Sequence, residues 1–173
     1  MDKKIKIFLL GIGCQKCGTT WLHNQLQSHP QVNLGMTKEY HYFDVIGTGQ
    51  IDRKPWRKLA KMMRWKSPLV PKILYALNYL MLFSGDNYYR YFDRLFSDNP
   101  NLLLTGDLTP SYSTLSVETF QMIRRELENR GYTVRVIFLM RDPVDRCISH
   151  MRMYRRNKSK NVKIGRAHVW TPV

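Results

Sequence analysis

The chain has 173 residues, 43% of them hydrophobic and 12% aromatic, enough to bury the core of one domain and too apolar for a disordered tail. Its 28 Lys and Arg stand against 13 Asp and Glu, and the net charge of +15 points to a polyanionic partner: nucleic acid, an anionic membrane, a nucleotide or an acidic glycan. Three cysteines, two of them in Cys14-Gln15-Lys16-Cys17, do not make the disulfide framework of a small secreted protein, so a reducing, cytoplasmic setting is expected.

The first residues, "MDKKIKIFLLGIGC", imitate a lipoprotein leader, but the apolar run is short, is interrupted by Lys6 and leads straight into a glycine-threonine loop. No signal peptide is expected. Lys4 to Gly13 instead suits a strand buried on both faces. Gly18 to Ser28 carries Trp21, Leu22 and Leu26 at helical spacing, and His29-Pro30 ends that helix, because proline disfavours the helical region for the residue before it.

Residues 50–83 mix Trp56, Trp65, many basic residues and three prolines, and suit an insertion of short helices. The apolar block from Tyr75 to Phe83 falls well short of the ~20 residues of a membrane span. "DNYYRYFDRLF", 86–96, repeats aromatic positions at steps of three and four, the stripe of a core-facing helix. "NLLLTGDLTPSY" is a second buried strand running into a turn. Val117 to Asn129 is a polar-faced helix closed by Gly131, and "TVRVIFLM", 133–140, is a third strand. Asp142-Pro143 opens a last helix running to about Arg155.

Ile164 to Val173, "IGRAHVWTPV", match one reading frame of a common sequencing adapter with its stop codon read as tryptophan. These residues are expected to be foreign, leaving residues 1–163 as one domain, incomplete at its C-terminus. Strands alternating with helices give an α/β fold: a P-loop-like three-layer arrangement, with a central parallel sheet flanked by helices.

The stretch "LLGIGCQKCGTTWL" places Gly13 and Gly18 at Walker-loop spacing, yet Thr19 stands where the Walker lysine belongs and Lys16 sits inside the loop. Backbone N–H groups of residues 14–20 can wrap a terminal anion at the positive end of the following helix, with the Thr19 and Thr20 hydroxyls adding donors. A lysine within the loop can neutralise a leaving phosphate. A kinase would also need a magnesium ligand, for which Asp107 at a strand end is the one candidate. Transfer of a sulfuryl group fits better, since its oxygens carry less charge and one lysine could replace the metal. A Cys14/Cys17 redox pair would leave Gly18-Thr19-Thr20 unexplained, and a zinc site lacks its second pair of ligands.

"CQKCGTTWL", then "KEYHYFD", then "RDPVDRCISH" occur in an order that resembles the sulfotransferases that use 3′-phosphoadenosine 5′-phosphosulfate, in the branch of carbohydrate and heparan-type enzymes and their bacterial relatives. The resemblance spans residues 5 to about 155. It implies that Lys16, Cys17, Gly18, Thr19, Thr20 and Trp21 surround the 5′-phosphosulfate, with Lys16 stabilising the departing phosphate. Arg141 and Ser149 would hold the 3′-phosphate, a pairing that suits a forked guanidinium and a helix hydroxyl. The competing role for Arg141 is an ion pair with Asp142 or Asp145.

By the same resemblance Glu39 is the general base for the acceptor hydroxyl. His41, two residues on, would share its face in an extended segment and is the alternative base; Lys38 would tune either one. Tyr42 and Phe43 are expected to pack the site. In "GDLTPSYS", Leu108 stands where the family often has a lysine, which weakens the case for a second cation on the sulfuryl group and for a heparan acceptor in particular.

The reading is therefore a sulfotransferase with a nucleotide donor and a hydroxyl-bearing acceptor, a glycan, and with no metal, no nucleic acid and no transmembrane segment. Its rivals are a P-loop nucleoside or small-molecule kinase, and a basic nucleic-acid-binding module built on residues 53–72. The resemblance also implies a further basic, glycine-containing loop over the 3′-phosphate and adenine that is not found after Met153, so weak nucleotide binding and little transfer are expected of this chain.

Overall fold

A computed structural model describes residues 5–46 and 86–158. The expected short helices of 50–83, the basic-aromatic stretch 53–72, the apolar block 75–83 and the tail 164–173 lie outside the described residues.

Three strands form a parallel sheet in the order β2-β1-β3: β1 is Lys6–Gly11, β2 is Leu104–Leu108 and β3 is Tyr132–Ile137. Leu9 pairs with Gly106 on one side of β1 and with Arg135 on the other. A Cβ at Gly106 would run into the backbone carbonyl of Leu9, so only glycine fits there. The third strand starts one residue earlier than its apolar run suggested and stops at Ile137.

Helix α1, Thr19–Gln27, follows the loop after β1, and its C-cap Ser28 lies just ahead of His29-Pro30. A short helix α2, Tyr42–Ile46, closes the first described segment. Helix α3, Asn87–Asp98, buries Tyr88, Tyr89, Phe92 and Phe96, the stripe expected from their spacing. A 3-10 turn, Pro110–Thr114, follows β2. Helix α4, Val117–Asn129, is capped by the Ser116 hydroxyl, which accepts from the Thr119 N–H at 3.3 Å. It ends at Gly131, whose φ of 81° is a conformation that side chains other than glycine's resist. Helix α5, Pro143–Lys158, begins after Asp142, whose Oδ1 accepts from the N–H groups of Val144 and Asp145 at 2.9 and 3.0 Å. The parallel sheet flanked by helices is the expected α/β, P-loop-like class.

The described chain separates into two units at Met140/Arg141, and α5 belongs to the second. The core of the first is aromatic. Phe8 of β1 meets Phe92 edge-on at 5.0 Å and Tyr132 at 5.7 Å, while Tyr42 of α2 stacks on Tyr88 of α3 at 4.0 Å. Tyr42 and Phe43 thus pack as their neighbours in sequence suggested.

Asp107, fully buried on β2, gathers these elements. Its carboxylate accepts from the hydroxyls of Thr109 (2.6 Å), Tyr112 (2.6 Å) and Tyr88 (3.0 Å), and weakly from the Tyr40 N–H (3.4 Å). Tyr112 Oη in turn accepts from the Tyr42 N–H at 3.0 Å. One carboxylate therefore ties α3, the 3-10 turn and the segment around residue 40 to the sheet.

Candidate functional site

The loop between β1 and α1 holds Cys14, Lys16 and Cys17. The chain passes so close to Leu139 after β3 that a Cβ at Gly13 would lie 2.6 Å from the Leu139 nitrogen. Lys16 takes a left-handed backbone with φ 70°, and the N-cap Gly18 does the same with φ 94°. The N-cap Gly18 has no side chain to cap α1, so no capping group satisfies the helix's first amides. Thr19 is buried, whereas Trp21 is 67% exposed.

Cys14 and Cys17 are joined in a disulfide across the loop, with Cα atoms 5.8 Å apart. The C-x-x-C pair weighed as a redox couple is thus bridged, with the left-handed Lys16 between its two cysteines.

The segment "KEYHYFD" is pinned by its own tyrosine. The Tyr40 side chain is buried, its hydroxyl donates to the Leu34 carbonyl at 2.8 Å, and its N–H donates to Thr109 Oγ1 at 3.0 Å. From α3, Tyr91 Oη accepts the Met36 N–H at 2.6 Å. With the backbone so held, Lys38 reaches back to α1, where its ammonium donates to Thr20 Oγ1 at 2.9 Å and Thr19 Oγ1 at 3.3 Å. It also pairs with Glu39 Oε1 at 2.7 Å.

Glu39 and His41 do meet, though not along an extended strand. His41 has φ 58°, a left-handed turn that starts α2 and swings the imidazole back, placing Nε2 3.4 Å from Glu39 Oε2. Its Nδ1 lies 2.7 Å from Asp44 Oδ2, and Ser111 of the 3-10 turn donates to that same oxygen at 2.6 Å. The result is a continuous chain of contacts: Thr19 and Thr20, Lys38, Glu39, His41, Asp44, Ser111.

Charges along this chain follow from it. Burial by itself would raise the Glu39 carboxyl, but hydrogen bonds from His41 and Lys38 outweigh it and bring the group down from 4.5 to about 2. Burial would lower His41, yet Asp44 first and Glu39 second lift it from 6.5 to about 9. At neutral pH the site therefore holds an ionised carboxylate between two cations, and the imidazole is protonated.

Both oxygens of Asp107, the one candidate magnesium ligand, accept from protein hydroxyls, Oδ1 from Thr109 and Oδ2 from Tyr112 and Tyr88. Burial raises its carboxyl from 3.8 to about 6, against the pull of those donors. Leu108, the position that often carries the family's lysine, is fully buried. Among the described residues, no three His, Cys, Asp or Glu side chains come together as a metal-binding group. No helix among them is long and apolar enough to cross a membrane.

Arg141 and Ser149 lie in the second unit, eight residues apart on either side of the start of α5. Arg141 Nη2 stands 3.7 Å from Asp145 Oδ2, the ion pair that competes with an anion-binding role. Lys38, Asp44 and Ser111 carry more of the site than their sequence context showed. The H-x-x-D spacing of His41 and Asp44 and the adjacency of Lys38 to Glu39 were local signals; the contacts of Lys38 with α1 and of Ser111 with Asp44 bridge 18 residues or more and 67 residues.

A parallel sheet with a glycine loop after its central strand, and an ionised carboxylate wired to that loop's hydroxyls, defines a P-loop-like α/β protein. Within that class the chain belongs to the sulfotransferase family, whose model matches residues 8–171. Comparison with curated proteins and with solved structures finds no match. Family membership makes it a transferase of sulfo groups in general terms.

Proposed function

We propose that the chain moves a sulfuryl group from 3′-phosphoadenosine 5′-phosphosulfate to a carbohydrate hydroxyl. The observation that carries this reading is the ionised Glu39 joined through Lys38 to the hydroxyls of Thr19 and Thr20. It puts a proton acceptor beside the loop in which a phosphosulfate would sit.

In this reading the amides of residues 14–20 and the two threonine hydroxyls cradle the 5′-phosphosulfate, and Trp21 offers its exposed ring to the donor. The acceptor oxygen attacks sulfur in line, the S–O bond to the phosphate breaks, and Lys16 receives the charge on the leaving phosphate. Glu39 takes the proton of the acceptor hydroxyl. It is preferred to His41 because a group held at about 9 has no free lone pair to offer at neutral pH. Arg141 and Ser149 are assigned to the 3′-phosphate, and the net charge of +15 favours an acidic glycan as acceptor.

Transfer of labelled sulfuryl from the nucleotide to a panel of glycans tests the reading. Lys16→Ala should abolish turnover with a smaller loss of donor binding, because its role is on charge that develops in the transition state. Glu39→Gln should lower turnover at every pH and leave binding of adenosine 3′,5′-diphosphate intact. Near-normal turnover in Lys16→Ala, or a far larger loss in His41→Ala than in Glu39→Gln, would refute these assignments.

A further inference from the structure

The ammonium of Lys38 has three N–H donors, and three oxygens from two different parts of the site surround it: Thr19 Oγ1 at 3.3 Å, Thr20 Oγ1 at 2.9 Å and Glu39 Oε1 at 2.7 Å. Two of these belong to the start of α1 and the third to the proposed base. Only 22% of the lysine side chain and 34% of the glutamate side chain are exposed, so bulk water screens the pair incompletely. Position 108, at the end of β2, offers no cation here, since Leu108 is buried in the core.

We infer that Lys38 is a positioning residue that couples the donor loop to the base: it is shared between Glu39 and the loop hydroxyls, and an anion bound in the loop draws it away from Glu39. The inference rests on the donor and base assigned in the preceding subsection. Without donor, Lys38 clamps the carboxylate against α1, orients it and keeps its proton affinity low. A phosphosulfate against Thr19 and Thr20 competes for the same ammonium with more negative charge than one carboxylate carries. As Lys38 turns toward that anion, the Glu39 carboxylate loses one of its two cations and becomes a better proton acceptor while the sulfuryl group is in place. The base is thus weak in the empty site and stronger in the loaded one.

The other charged groups around Glu39 do not supply this link. His41 of the turn before α2 lies on Oε2 at 3.4 Å, but it is held from its other side by Asp44 of α2, which Ser111 of the 3-10 turn also contacts. Asp107 of β2 is committed to Thr109, Tyr112 and Tyr88. From α1 the facing groups are the neutral hydroxyls of Thr19 and Thr20. Lys38 alone among these touches both the loop and the base.

Carbon NMR of the glutamate carboxyls in the full chain, titrated with and without adenosine 3′,5′-diphosphate, reads the coupling without any turnover. In the unliganded wild type Glu39 should stay ionised down to about pH 3, whereas Lys38→Met should move its midpoint up by roughly one pH unit or more. Lys38→Arg, which keeps the charge and the reach, should stay near the wild type. Adding the diphosphate should raise the Glu39 midpoint in the wild type and leave it unmoved in Lys38→Met.

A Lys38→Met midpoint equal to the wild-type one overturns the inference. So does a wild type that binds the diphosphate with no change at Glu39, and the donor assignment then survives. Because only weak nucleotide binding is expected of this chain, the diphosphate is raised to the highest soluble concentration; a folded wild type that still shows no binding overturns the donor assignment and this inference together. In transfer assays the same coupling predicts that Lys38→Met lowers kcat by roughly 10- to 100-fold with little change in donor KM, and that Lys38→Arg recovers most of it. A merely structural lysine would give Arg and Met variants of equal activity and the wild-type pH profile.

Discussion

Replacing Asp44 by asparagine keeps the shape of the side chain and removes the charge that most strongly holds His41 protonated. The imidazole sits between two carboxylates, with Nδ1 2.7 Å from Asp44 and Nε2 3.4 Å from Glu39, and its midpoint rises from 6.5 to about 9 although burial opposes the charged form. That rise corresponds to about 3 kcal/mol of preference for the protonated ring in the folded state. Because the folded-state value is raised, the contribution is fully present below pH 6.5 and is lost as pH climbs through about 9. Wild-type stability in urea should therefore decline across that window. In Asp44→Asn the more distant Glu39 is the one carboxylate left against the ring, beside the neutral Ser111 hydroxyl 3.3 Å from Nδ1, so roughly half or more of the 3 kcal/mol should disappear and the stability profile flatten. The ring protons of His41, followed by NMR, should titrate near pH 7 in the variant instead of about 9. A wild-type His41 titrating at 6.5, or an Asp44→Asn chain with the wild-type slope of stability against pH, would refute this electrostatic account. It would also return His41 to contention as the base.

Two further outcomes check the frame around the site. Asp107→Asn turns one carboxylate oxygen into an N–H₂, so either the Thr109 hydroxyl on Oδ1 or the Tyr112 and Tyr88 hydroxyls on Oδ2 lose their acceptor; with the charge also gone, the weakening of these buried bonds should cost about 3–5 kcal/mol, read as a lowered urea midpoint. Stability within about 1 kcal/mol of the wild type would show that the cluster does not tie the elements together. Thiol labelling of the native chain should find a single reactive cysteine, Cys147, and all three after denaturation and reduction. Three thiols without reductant would remove the Cys14–Cys17 bridge from the donor loop.

Local sequence determined the order and kind of the elements. The apolar run of Lys6–Gly11, the aromatic spacing of Asn87–Asp98, the Ser116 cap and Gly131 stop of Val117–Asn129, and the Asp142-Pro143 start of α5 are all short-range signals, and each element forms where its signal lies. The three motifs likewise carried the family, because the glycine loop and the Lys38 to Asp44 stretch are contiguous. What the sequence could not determine is who touches whom across it. Asp107 reads as a carboxylate at a strand end, open to a metal, until Tyr88 of α3 and the Tyr40 N–H join the nearby hydroxyls of Thr109 and Tyr112 on it. Lys38 reads as a neighbour of Glu39, and only the packing of Tyr40 under the segment carries its ammonium to Thr19 and Thr20. Glu39 and His41 were paired by an assumed strand, but a left-handed turn at His41 makes the pair and adds Asp44 to it. Such contacts depend on burial and backbone direction summed over the whole unit, a property of the packed chain that no window of a few residues contains.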